Sequence, residues 1–411
     1  MKKLLVTGIA LVAILMFAMP AAATKVELGG YYRVEGRYQA NPTLNEDTQD
    51  GGAAWRHRFR LTPAFIVSDA LRFDFKMDIF DGTKFGSTGS EAKSTAVIDV
   101  DRLWMTITAP FGKFALGRMA GGAWGLDFLN NNEDYDRVRF DTKFGNVSTG
   151  IILQKNAEGD WGSGNGSDSD TDVYYLYGVY KADFGAIGLL GAYVNGKSST
   201  NAETTAYNLL PYFDVKFGGL GLRGELKWAN GEIDPDAAGD LTTDTEELAW
   251  TLQADYSFGA FTVGGGYAWV QGEDLGTATT LEKTNASGGG LGDDWGLFVV
   301  ATDVDQIVND SGDPFGIITT GVQMWYVDAE WNATKAWNFG VRVGGFTAQE
   351  VAAGVDDKIG TEFDGWAEWK VMKNLKWGFY GGYFDAGDYF KSGITNIDNT
   401  YTVKHVLTLR F

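Results

Sequence analysis

From about residue 25 onward, apolar and polar side chains alternate along much of the chain. Leu71-Arg72-Phe73-Asp74-Phe75-Lys76-Met77-Asp78-Ile79 sets five apolar residues at odd positions and four charged ones at even positions. That period of two describes a strand with one oily face and one ionic face. Leu220 to Trp228 and Leu248 to Tyr256 read the same way. The pattern predicts eighteen strands, over 25–39, 53–67, 70–80, 97–109, 113–119, 136–142, 146–155, 172–183, 186–195, 206–217, 219–229, 246–258, 260–270, 322–334, 336–347, 362–373, 375–385 and 400–411. A soluble sandwich would also alternate, so the connections have to decide. Short turns at 68–70, 110–112, 143–146, 183–185, 218–219, 258–260, 334–336 and 374–375 take turns with long polar stretches. Short-long alternation is the signature of a membrane-spanning barrel. Trp55, Trp104, Trp228, Trp250, Trp269, Trp331, Trp337, Trp369 and Trp377 fall near strand ends, where an interfacial girdle would sit. The expected fold is all-β, a transmembrane antiparallel up-and-down β-barrel of 18 strands, with 16 as the alternative. Within residues 271–321, which the pattern leaves unassigned, Trp295 to Val300 fit either a loop-borne strand or a helix.

Composition narrows the chemistry. The 411 residues include no cysteine, which excludes a disulfide scaffold, a thiolate metal site and a cysteine nucleophile. Lys plus Arg number 34 against 54 Asp plus Glu, a net charge of -20, so no nucleic-acid partner is expected. Met1-Lys2-Lys3, the apolar run Leu4 to Met19 and Pro20-Ala21-Ala22-Ala23 have the layout of a secretory signal peptide, the run being short of the roughly 20 apolar residues a spanning helix needs. The expected organisation is a signal peptide over 1–23 and a single barrel domain over 24–411. Tyr401, Val403, His405, Leu407, Leu409 and Phe411 share one face of the last strand. This face resembles the terminal strand of bacterial outer-membrane barrels.

Lipid cannot hydrate charge, and an Arg or Lys turned to it at mid-membrane costs about 2–4 kcal/mol. The ionic face of each strand must therefore line the lumen, which at sixteen to eighteen strands is wide enough for water. Sorted this way, the early strands carry a basic wall: Arg33 and Arg37, then Arg56, Arg58 and Arg60, then Arg72 and Lys76, then Arg102, then Arg137 and Arg139. Glu27, Glu35, Asp74, Asp78 and Asp141 lie on the same faces, so ion pairing within the wall competes with a free basic ladder. The third long connection, Gly121 to Asp136, holds Asp127, Glu133 and Asp134.

Phe111-Gly112-Lys113-Phe114-Ala115-Leu116-Gly117-Arg118 and Arg137-Val138-Arg139-Phe140-Asp141-Thr142-Lys143-Phe144-Gly145 resemble the strands on either side of the third loop in Gram-negative trimeric porins. The resemblance implies a third loop folded into the lumen, with Asp127, Glu133 and Asp134 facing arginines drawn from Arg56, Arg58, Arg60, Arg72 and Arg102. It further implies a homotrimer in the bacterial outer membrane, in contact with lipid and lipopolysaccharide, passing ions and small hydrophilic solutes by diffusion, with no cofactor and no enzymatic step. Phe140 stands where tyrosine is usual, the loop lacks a Pro-Glu-Phe-Gly turn, and eighteen strands exceed the common sixteen. The alternative is a substrate-selective channel for sugars or organic anions, with Tyr31, Trp366 and Tyr380 as an inward aromatic track.

Three further motifs carry less. Gly219 to Gly224 has the glycine spacing of a dinucleotide loop but leads into a strand, without the helix that loop requires. Asp168, Asp170 and Asp172 are spaced like the start of a calcium loop, yet Val173 occupies its glycine position. His57 and His405 fall on the oily face, without a nucleophile and carboxylate to complete a triad.

Overall fold

The structure, a computed structural model, describes residues 25–48, 51–84, 98–122, 124–126, 128, 133–159, 169–197, 202–234, 242–273, 280–281 and 320–411. Eighteen long strands follow one another: β1 (Lys25–Ala40), β2 (Gly52–Ser68), β3 (Leu71–Lys84), β4 (Ile98–Ala109), β5 (Gly112–Ala120), β6 (Asp134–Phe144), β7 (Val147–Ala157), β8 (Thr171–Ala182), β9 (Gly185–Lys197), β10 (Glu203–Phe217), β11 (Leu220–Asp234), β12 (Thr243–Phe258), β13 (Phe261–Val270), β14 (Val322–Trp331), β15 (Trp337–Ala348), β16 (Lys358–Met372), β17 (Leu375–Ala386) and β18 (Thr400–Arg410). Each pairs antiparallel with its sequence neighbour, and β18 pairs with β1, from Tyr31 opposite Arg410 to Ala40 opposite Tyr401. The cylinder therefore has no free edge, and the strands' peptide groups bond to one another, as hydrocarbon demands. The eighteen strands match the alternation in number and order. A two-residue piece, Thr280–Leu281, runs parallel to Asp244–Thr245; Trp295 to Val300 lie outside the described residues.

One end of the cylinder has only tight connections. Asp69-Ala70, Pro110-Phe111, Gly145-Asn146, Asp183-Phe184, Gly218-Gly219, Gly259-Ala260 and Lys373-Asn374 each join two strands directly, and the turn from β14 to β15 runs over 332–336. Gly145, Gly218 and Gly259 have φ of 57°, 61° and 61°, the left-handed value that the first position of a two-residue hairpin turn requires. The chain's seam closes at this end: Gly30 N–H donates to the Phe411 carbonyl and Phe411 N–H to the Gly30 carbonyl, both at 3.1 Å.

The outer face carries an apolar belt, with Leu28 61%, Leu176 62%, Leu189 52%, Leu252 51%, Val327 51% and Val341 60% exposed. A soluble protein does not leave a belt of this extent to water. Aromatic rings border the belt. At the short-turn end Tyr256, Phe258, Phe261, Trp331, Phe339, Trp337 and Trp369 follow one another at centroid separations of 5.4 to 6.1 Å. Toward the long-loop end lie Tyr174, Tyr193 and Tyr207, with Tyr38 beside Tyr401. Trp104 departs from the expected girdle. It stands opposite Asp74 and Gly117, on the lumen face, because the alternation of β4 turns Leu103, Met105 and Ile107 outward instead.

Candidate functional site

Register carries the basic wall to the inside. Arg33 is opposite Arg58, Glu35 opposite Arg56, Arg60 opposite Asp78, Lys76 opposite Arg102, and Lys113 opposite Asp141. Antiparallel partners directly opposite one another share a face, so these side chains line one continuous patch of lumen from β1 to β6. Many are paired. Arg60 is bidentate to Asp78, Nε to Oδ1 at 2.6 Å and Nη2 to Oδ2 at 2.5 Å. Arg72 holds Asp74 at 2.7 Å and Glu27 at 3.4 Å. Lys76 meets Asp101 at 2.8 Å, Arg37 meets Glu35 at 3.1 Å, and Arg139 reaches both oxygens of Asp141 at 2.9 Å. Arg33 and Arg56 meet no carboxylate among the described residues and keep their charge for the lumen. Alternation of the final strand adds Lys404, opposite Arg37, and Arg410, opposite Tyr31. Sequence reading missed both because only closure of the cylinder brings β18 beside β1.

Of the three carboxylates assigned to the third loop, Asp127 lies outside the described residues. Glu133 is exposed and its carbonyl accepts the Gly121 N–H at 2.7 Å. Asp134 is the first residue of β6 rather than part of the loop; it accepts from Arg102 Nε and lies 3.8 Å from Lys76 Nζ. At the loop's entry, buried Arg137 donates from Nη1 to the Ala120 carbonyl at 2.9 Å and to the Gly121 carbonyl, and from Nε to Gln154 Oε1 at 2.6 Å. Farther along, Trp124 Nε1 donates to the Leu210 carbonyl at 2.7 Å, and Leu126 N–H donates to Glu225 Oε2 at 2.6 Å. Leu210, Tyr212 and Glu225 belong to β10 and β11, and Tyr212 is directly opposite Glu225. The Trp124 ring stands edge-on to Tyr212 at 5.1 Å and to Tyr177 at 5.9 Å. Glu225 and Trp124 had no local sequence signal, since the hydrogen bonds they make across the lumen join residues 99 and 86 positions apart.

The lumen is not polar throughout, as alternation alone would suggest. Toward the long-loop end of β12 to β17, inward positions include Ala249, Ala268, Val270, Val322, Met324, Phe346 and Phe384, which form a buried cluster with Leu44, Phe128 and Phe390 from three connections, beside the buried carboxylates of Glu247 and Glu362. Connections that fold inward need an apolar surface to pack on, and these strands supply it. Below the cluster, aromatic rings alternate with cations: Arg342 lies 5.0 Å from the Tyr326 ring and 5.5 Å from Trp366, Lys404 lies 5.8 Å from Tyr380, and Arg60 and Arg410 lie 5.5 and 5.9 Å from Tyr31. Inward glycines make room for such rings. A Cβ on Gly340 would come within 2.0 Å of the Trp366 indole, and one on Gly188 within 2.1 Å of the Tyr212 ring.

The remaining motifs have structural partners. Lys155 occupies Asp170 and Asp172 at 2.6 and 3.0 Å, so these carboxylates already hold a cation; Asp168 lies outside the described residues. On the outer face, His57 Nδ1 is 3.3 Å from the Tyr32 hydroxyl, and His405 Nδ1 accepts from Trp377 Nε1 at 3.3 Å. Gly219 to Gly224 form the turn into β11 and its first residues.

No curated protein matches this sequence. Among solved structures, OccK8 (OprE) of Pseudomonas aeruginosa superposes with a TM-score of 0.56 at 12% identity, covering 94% of this chain and 98% of that one. OccK2 (OpdF) of the same organism, solved in complex with glucuronate, gives 0.57 at 11% over 95% and 99%. OccK5 (OpdH), also from P. aeruginosa, gives 0.55 at 14% over 94% and 98%. At such identities the likeness is one of fold. A sequence profile of Gram-negative porins matches residues 10–389. With a closed eighteen-stranded barrel, an apolar outer belt between aromatic girdles and a charged inner wall, the chain belongs to the Gram-negative porin family and forms a channel in the bacterial outer membrane.

Proposed function

We propose that the aqueous path of this porin runs beside the basic wall, with Arg33, Arg37, Arg56, Arg58, Arg60, Arg72, Lys76, Arg102, Arg137 and Arg139 along it and the third loop narrowing it. The observation that carries the reading is the asymmetry of the inner surface. An apolar cluster fills the long-loop end on the β12 to β17 side, while the arginines are concentrated on β1 to β6. Asp134, with Asp127 and Glu133 nearby in sequence, supplies negative charge against Arg102 and Lys76. Fixed charges of both signs across a narrow gap orient water, so small ions and hydrophilic solutes pass while apolar ones are disfavoured. Since Arg33 and Arg56 meet no carboxylate among the described residues and most of the other cations are matched, the preference for anions is weak. Recording purified protein in planar bilayers tests this. Linear conductance rising with salt, with a modest anion bias, is expected; a silent membrane or a strong cation bias refutes it.

A substrate-selective reading is favoured by one observation, the alternation of rings and cations at Tyr31, Tyr326, Trp366 and Tyr380, which suits a sugar ring carrying a carboxylate. OccK2 was solved with a ligand of that kind. Block of conductance by micromolar glucuronate would establish this second reading, and unblocked current favours plain diffusion.

The same proposal has residues 1–23 removed on export, 24–411 forming one barrel, three copies assembling, lipopolysaccharide packing on the outer girdle, and no chemical step catalysed. The mass of the mature chain and heat-dependent migration of a detergent-resistant trimer on a gel test the first three.

A further inference from the structure

At the short-turn end, inside the wall built by β15 to β18 and capped by the 332–336 and 373–374 turns, lies a cavity of about 470 Å³. Its lining reverses the sign of the molecule. In a chain of net charge -20, this cavity gathers Lys335, Lys370, Lys373, Lys376 and Arg410 around a single carboxylate, Glu368. Glu368 is committed: Lys376 Nζ holds it at 2.6 Å and the Tyr380 hydroxyl donates to it at 2.7 Å. Lys335, Lys370, Lys373 and Arg410 meet no carboxylate among the described residues.

The frame holding these cations is built. Thr334 Oγ1 accepts the backbone N–H groups of Ala336 and Trp337 at 3.1 and 3.0 Å, which sets Lys335 at the tip of its turn. Asn338 donates to Asn332 Oδ1 at 3.1 Å and accepts from Trp366 Nε1 at 3.1 Å, tying that turn to the lumen wall. Lys373 sits on the two-residue turn between β16 and β17, and Lys370 and Arg410 lie in the last residues of their strands. Four like charges around one cavity repel one another, and the ligand that relieves this is a compact anion of more than one charge. Lysine ammonium groups act as point charges without the flat fork that matches a single planar carboxylate. They suit an oxyanion whose charge is spread over many oxygens, and Tyr380 and Asn338 add neutral polar surface.

We propose that this cavity binds compact multivalent oxyanions of the phosphate and pyrophosphate class, as a holding site at the periplasmic mouth of the channel. The proposal rests on the porin reading for its orientation, and the test separates the two. Inorganic pyrophosphate is titrated calorimetrically into the full-length protein in detergent at low salt, and in parallel added to each side of a bilayer containing single channels. Exposed charges are screened, so binding weakens as KCl rises. Expected are saturable binding and a partial block reached at lower concentration from one side. Both fall by about tenfold when Lys335, Lys370 and Lys373 are changed together to Gln, the scale of one charge-assisted hydrogen bond. Lys216→Gln, which removes one lumen-facing cation from β10 near the same mouth, leaves both nearly unchanged. Absence of binding, a block equal from both sides, or equal weakening by Lys216→Gln overturns the site. Binding without any conductance would uphold the site and refute the channel.

Discussion

Arg137 offers the sharpest test of how the third loop is held. It is 7% exposed, and its guanidinium binds the carbonyls of Ala120 and Gly121 and the amide oxygen of Gln154, with the rings of Tyr135 and Tyr175 at 5.1 and 5.8 Å. Met in its place keeps most of the aliphatic stem and removes every donor. Hydrogen bonds from a charged donor contribute about 1.5–3 kcal/mol each, and two of these three fix the point where the chain leaves β5. Allowing for partial replacement by water at the loop entry, the Arg137→Met change weakens docking of the loop by about 3 kcal/mol. That shifts the balance between docked and released loop by roughly a hundredfold. The Trp124 and Leu126 anchors remain, so the loop fluctuates rather than leaves. The readout is single-channel recording: mean conductance rises, open-channel noise increases, and Arg137→Lys, still cationic but lacking the fork, falls between wild type and Met. Unaltered conductance and noise in a variant that still shows heat-dependent gel migration would refute this account of the loop.

The other expectations concern the wall and the seam. Asp134→Asn removes the carboxylate beside Arg102 and Lys76 and should raise the anion-to-cation permeability ratio several-fold, read from reversal potentials in a KCl gradient; an unchanged potential would place the selective section elsewhere. Arg56→Gln should lower chloride permeability more than Arg60→Gln does, since Arg60 is already bound to Asp78; the opposite order would mean that pairing does not control the wall's effective charge. Phe411→Ala uncovers Gly30 and removes a ring 6.1 Å from Phe59. A loss of about 1–2 kcal/mol for a half-exposed ring is expected, seen as a lower temperature for conversion of the folded to the unfolded gel band, and no change would show that the seam rests on its backbone ladder alone.

The barrel was legible because its solvent arrangement is written locally. Lipid outside and water inside force a two-residue period on each strand, so Leu71 to Ile79 announces both its conformation and its orientation without reference to any other segment. The lumen faces of Arg33, Arg56, Arg72, Arg102 and Arg139 follow from the same parity. Trp104 departs from the girdle pattern because it sits mid-strand in β4, where parity with Leu103 and Met105 turns it to the lumen.

What the sequence by itself determined is the cylinder: strand number, the alternation of short and long connections, and which side chains meet lipid, since each depends on neighbours one or two positions away. Tertiary structure alone decided which charges are spent across strands, with Arg60 on Asp78 and Lys76 on Asp101, while Arg33 and Arg56 meet no carboxylate among the described residues. It also decided that Glu225 and Leu210 hold the third loop, that apolar residues of β12 to β17 gather Leu44, Phe128 and Phe390, and that Lys335, Lys373 and Arg410 surround one cavity. Those outcomes depend on closure of the sheet and on contacts between residues from 18 to hundreds of positions apart, where Coulomb energy and burial act through space and leave no period in the chain.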